Sequence, residues 1–121
     1  MEYKITLKGS IPSKKNSKQI INVRGRPLII SSSKYLEWER NQIKEIEWNR
    51  PPLDSIKEIR CNIIAKDRRL FDLSNKFESI ADMLVKKGVL KDDNYSIIPK
   101  VILDFGGVDK EKCGADVIIR E

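Results

Sequence analysis

The chain has 121 residues, 40% of them hydrophobic, which suffices for one modest core and fits one domain over residues 1–121. No apolar run is long enough to span a bilayer, and the N-terminus lacks the layout of a secretory signal, so a soluble, cytoplasmic protein without membrane partners is expected. Twenty-four Lys and Arg against eighteen Asp and Glu give a net charge of +6, which suits a polyanionic partner; with no histidine, any acid–base or metal chemistry falls to carboxylates, lysines or hydroxyls.

Residues 2–8 alternate apolar and polar and predict a half-buried strand. Turn formers and lysines from Gly9 to Lys18 predict a basic loop containing Lys14, Lys15, Asn16 and Lys18. Short β-like runs at Gln19–Val23 and Leu28–Ser31 flank Arg24-Gly25-Arg26-Pro27 and predict a hairpin tipped by two arginines. One of the serines at 31–33 caps a helix predicted over Lys34–Trp48, with Tyr35, Leu36, Trp38, Ile43 and Ile46 on its apolar side; Pro51 and Pro52 stop it. Alternation over 55–65 predicts a strand leading into Lys66-Asp67-Arg68-Arg69.

A second helix is expected to open at Asn75, with Glu78 completing a capping box, and to close at Gly88. Phe77, Ile80, Ala81, Leu84 and Val85 form its apolar face. Further strands are predicted at Ile97–Phe105 and Ala115–Arg120. The pattern is that of an α+β domain: a mixed sheet of about four to six strands with two main helices. Cys61 and Cys113 have no metal-binding spacing and read as reduced structural thiols.

Five carboxylates fall between Asp72 and Asp93: Asp72 before a helix, Glu78 and Asp82 one turn apart upon it, and Asp92-Asp93 after it. Hard oxygen donors of this kind suit Mg²⁺, with Mn²⁺ as an alternative. The same residues also read as ordinary helix-start and turn formers, and spacing leaves both readings open.

The segments Asp72-Leu73-Ser74-Asn75, Ala81-Asp82 and Gly88-Val89-Leu90-Lys91-Asp92-Asp93-Asn94, in this order, resemble the signature of RusA-like Holliday junction resolvases. Gly9-Ser10-Ile11-Pro12-Ser13-Lys14-Lys15-Asn16 resembles that family's early proline-serine-lysine-asparagine loop. The resemblance implies a homodimeric, Mg²⁺-dependent endonuclease that nicks four-way and other branched DNA symmetrically in recombination and repair. Its catalytic aspartates fall on Asp72 and Asp93, with Asp92 beside the second; Glu78 and Lys76 are assigned separately, from their places on the helix, as a further metal ligand and a catalytic cation that make good departures from the family's pattern at Ser74 and Glu78. Both carboxylates of the first pair are then expected in one pocket. Lys14, Lys15, Asn16, Lys18, Arg24, Arg26, Arg68 and Arg69 are the DNA-binding set.

Two positions depart from the family's pattern: its second aspartate falls on Ser74, and its functional lysine on Glu78. The alternative reading is therefore a RusA-like module that binds branched DNA without cutting it. A basic RNA-binding or assembly protein, with the aspartates as simple caps, is the more distant rival.

Overall fold

The computed structural model describes residues 1–13 and 18–121, and the side chains of these apart from Lys18, Gln19 and Ser31. Its elements run β1 (Glu2–Lys8), β2 (Lys18–Val23), β3 (Arg26–Ser31), α1 (Ser33–Glu45), β4 (Glu58–Ala65), α2 (Leu73–Lys87), β5 (Val101–Val108) and β6 (Gly114–Arg120). The result is the α+β architecture expected from the residue pattern, with a four-stranded mixed sheet, a two-stranded ribbon and two helices.

The main sheet has the order β1-β6-β4-β5. β6 runs antiparallel to both of its neighbours, whereas β4 and β5 are parallel and are joined by α2 in a β–α–β crossover. Period-two alternation puts Ile5, Leu7, Ile59, Cys61, Ile63, Ala115, Val117 and Ile119 on one buried face. Ile80, Met83 and Leu84 of α2, all fully buried, join them in the core.

Tight backbone approach requires glycine where β1 meets β6. Gly114 has φ +142°, and a Cβ there would lie 1.9 Å from the Leu7 carbonyl oxygen. The hairpin of β2 and β3 turns on Arg24-Gly25, both with positive φ, as a two-residue turn of the I′ kind demands. Arg26 and Pro27 belong to β3 and not to the connection, because Arg26 already pairs with Val23 and Pro27 with Asn22.

Other boundaries also differ from the sequence expectation. α1 stops at Glu45, where Ile46 turns extended and buries its side chain, so Trp48 leaves the helix and meets Tyr3 edge-on at 5.1 Å. β5 starts at Val101 because Ile97 and Ile98 donate their amides to the Asn94 carbonyl in a turn before Pro99. α2 begins two residues earlier than Asn75, with Asp72 as N-cap. Its end at Gly88, in the left-handed conformation, is as expected.

The buried side of α1 carries Tyr35, Trp38, Glu39 and Gln42 at i, i+3, i+4 and i+7. Two of these, Glu39 and Gln42, have partners far along the chain: Gln42 Nε2 donates to the Lys8 carbonyl at 2.8 Å, and Lys86 Nζ of α2 donates to Glu39 Oε1 at 2.8 Å. Among the described residues, no helix is long and apolar enough to cross a membrane.

Candidate functional site

Strand β4 is apolar on one side until Ala65, then the chain becomes cationic and leaves the sheet. It does so at the carboxyl end of the parallel pair, the end where open α/β sheets present ligand sites. A cleft of about 470 Å³ opens there. Its walls come from the Ser10–Ser13 segment after β1, Ser32 and Lys34 at the start of α1, Ile63–Asp67 and Arg69–Phe71 after β4, and Lys76 in the first turn of α2.

Four cations line this space, Lys34, Lys66, Arg69 and Lys76, against one carboxylate, Asp67. Both helices direct their N-termini to it, and neither has an acidic residue in its first turn. At α1, capped by the neutral Ser32, the partial positive charge of the helix start therefore adds to the side-chain charges, whereas at α2 the N-cap carboxylate of Asp72 offsets it. Ser32 Oγ is occupied in capping, accepting from the Tyr35 amide at 3.2 Å. Ser13 Oγ, on the cleft wall, is buried and has no hydrogen-bond partner among the described residues.

Lys76 holds the cleft together. Its ammonium donates to the Ile11 carbonyl at 2.6 Å and lies 5.0 Å from the centre of the Phe71 ring. One turn along, Ser79 Oγ donates to the Pro12 carbonyl at 2.6 Å. These two bonds pin the 11–12 segment to α2. Partial burial lowers the Lys76 pKa, and the neighbouring Lys66 and Lys34 lower it further while Asp67 opposes them. An anion in the cleft would relieve that repulsion.

The acidic residues are arranged differently. Asp72 is the exposed N-cap of α2, immediately after the cleft residue Phe71; its Oδ2 accepts from Asn75 Nδ2 at 3.4 Å. Asn75, expected to cap the helix, is thus inside it, because Asp72 is itself a favoured cap residue placed three positions earlier. Glu78 is exposed in mid-helix and Asp82 half-buried one turn on. Asp92 and Asp93 follow the other end of α2, in a loop held by Leu53, whose amide donates to the Val89 carbonyl and whose carbonyl accepts from Lys91. There Asp92 acts as a turn former: its Oδ1 accepts from the Asp93 amide at 2.7 Å and its Oδ2 from Asn94 Nδ2 at 3.1 Å.

Fifteen residues of α2, about 22 Å at the α-helical rise, separate the Asp72 end of the crossover from the Asp93 end. The segments on either side of Asp93 bond to Leu53, Ile56 and Ile59 at the amino end of β4, whereas Asp72 follows its carboxyl end, so the two aspartates sit toward opposite ends of that strand. Among the described residues, no group of three or more acidic or thiol side chains is placed to hold a metal ion. Asp72, Asp92, Asp93 and Glu78 within one chain do not fit the octahedral oxygen shell of Mg²⁺ or Mn²⁺.

Of the expected DNA-binding residues, Arg69 lines the cleft, while Arg68 is exposed beside it. Arg24 and Arg26 are exposed at the hairpin tip. Lys14, Lys15 and Asn16 lie outside the described residues, as does the side chain of Lys18. Sequence reasoning passed over Lys34 and the hydroxyl of Ser13. Lys34 had one detectable signal, a cation in the first turn of a helix with no acid to offset it.

No protein-family model matches this chain, and no curated protein matches it.

Proposed function

We propose that the chain is a RusA-like endonuclease that binds four-way and other branched DNA as a homodimer, gripping backbone phosphate in the cleft at the carboxyl end of β4. The observation that carries this reading is the convergence of Lys34, Lys66, Arg69 and Lys76, with the uncompensated N-terminus of α1, on one open space. Point charges and guanidinium forks around a cleft are the chemistry of phosphate binding. The motif order around Asp72 and Asp93 supplies the kinship to resolvases.

Cleavage is assigned to the dimer and not to one chain. With Asp72 and Asp93 at opposite ends of α2, a carboxylate set for a hard divalent cation requires Asp72 of one copy beside Asp93 of the other. A two-fold dimer has two such composite sites, which suits paired nicks across a junction. The binding-only alternative keeps the cleft and loses the composite sites.

The test uses a synthetic four-way junction with Mg²⁺. Asp72→Asn and Asp93→Asn should each abolish cleavage and leave junction binding intact. Mixed together, the two variants should regain nicking, since one heterodimer site then carries both native aspartates. Binding without any cleavage by the native protein would establish the binding-only reading. Lys34→Ala with Lys66→Ala and Arg69→Ala should flatten the salt dependence of binding by about 0.9 log–log unit for each phosphate no longer neutralised. An unchanged slope would remove the cleft from the DNA surface.

A further inference from the structure

Leu70 is 96% exposed, the most exposed large apolar side chain among the described residues. It stands on the rim of the cationic cleft between Arg69 and Phe71. The loop that presents it is tied at both sides. Asp67 Oδ1 accepts the Arg69 amide at 3.0 Å, and the Phe71 ring meets Phe105 edge-on at 6.2 Å while Lys76 covers it. Leu70 therefore projects from a braced loop, and leaving a leucine in water forfeits the stabilisation its burial would bring.

What could cover it is constrained by its surroundings. Lys66, Arg68 and Arg69 precede it and Lys76 lies within the cleft, so the partner that fits is polyanionic and offers an apolar surface close to its charges. A nucleic acid with an unstacked base has both: phosphate on the backbone and a bare base face beside it. In a continuous duplex every base face is covered by its neighbour, and an apolar side chain reaches one only by prising the stack apart. At a branch point the stack is already interrupted, so that cost is small.

We propose that Leu70 is a specificity-determining wedge: with phosphate seated in the cleft, it packs against an exposed base at the branch point and makes the protein prefer branched DNA to continuous duplex. This rests on the cleft being the phosphate site. It goes beyond that reading by naming the residue that discriminates and the feature it senses.

The experiment compares the native chain and Leu70→Ala on a four-way junction carrying 2-aminopurine at the branch point and on a duplex of the same sequence. Leu70 touches no core residue, so the melting temperature should not move. Native binding should raise 2-aminopurine emission, and Leu70→Ala should lose that rise and about tenfold in junction affinity while duplex affinity stays the same. Equal loss on both DNAs, or emission unchanged by native binding, overturns the wedge and leaves the cleft standing. Leu70-dependent preference for single-stranded RNA over the junction overturns the assignment to branched DNA. No affinity for either DNA overturns the phosphate cleft itself.

Discussion

The Lys76 ammonium and the Ile11 carbonyl, 2.6 Å apart and 65 residues apart in sequence, tie the first turn of α2 to the segment that follows β1. Lys76, expected from the sequence as a catalytic cation, is thus a clamp on the wall of the cleft. Its pKa is lowered chiefly by burial and then by Lys66 and Lys34.

A pH dependence of binding follows. Phosphate in the cleft favours the charged ammonium, so the complex holds the Lys76 proton more tightly than the free protein does. As pH rises through the lowered pKa of the free protein, binding must recharge Lys76, and affinity falls below the range in which an ordinary lysine, near pH 10.4, would lose its charge. Arginine stays charged throughout, so Lys76→Arg should hold its affinity as the pH is raised toward about 10. Measured at fixed ionic strength, a native profile that coincides with that of Lys76→Arg would remove Lys76 from the binding equilibrium.

Gly114 begins β6 under the Leu7 carbonyl, with no room for a side chain. Gly114→Ala places a methyl carbon 1.9 Å from backbone oxygen in a conformation L-residues avoid, and backbone cannot yield as a side-chain tip can. The expected loss is at least about 3 kcal/mol in a denaturant titration. Gly106→Ala is the contrast, since its clash at 2.7 Å is with the side chain of Asn62, which can rotate away. A Gly114→Ala protein as stable as the native one would show that β1 and β6 do not pair as described.

The two cysteines should differ in reactivity. Cys61 is wholly buried between β5 and β6, and burial pushes its thiol up to about 12, so almost no thiolate exists at neutral pH. Cys113 is only partly covered, with its Sγ 3.5 Å from the Lys110 carbonyl. A thiol reagent at neutral pH should modify one cysteine in the folded protein and two in denaturant. Rapid modification of Cys61 in the native state would mean that the centre of the sheet opens readily.

Much of the fold was legible because its elements obey local rules. β1 alternates cleanly, Gly88 closes α2 by its left-handed conformation, and the Ile80, Ala81, Leu84 stripe is a periodic helix face. Those signals depend on neighbours a few residues away, so the order of the residues was enough for them, as it was for the α+β class and the excess of positive charge. It also carried the acidic motif, whose two ends look close when counted along the chain.

What those residues could do together depended on packing in three dimensions. Twenty-one positions separate Asp72 from Asp93, but most of them are helix, and a helix spends its residues on length, holding its ends apart where a tight loop would have joined them. Conversely, Lys34 and Lys76 are 42 positions apart and meet on one cleft because α1 and α2 both start at the same end of the sheet. The buried polar stripe of α1 was hidden for the same reason: no local signal marks Glu39 and Gln42 as buried, because their partners, Lys86 and the Lys8 carbonyl, come from distant segments. Periodicity reports which face of an element is apolar; only the crossover and the strand order decide which ends of the elements meet.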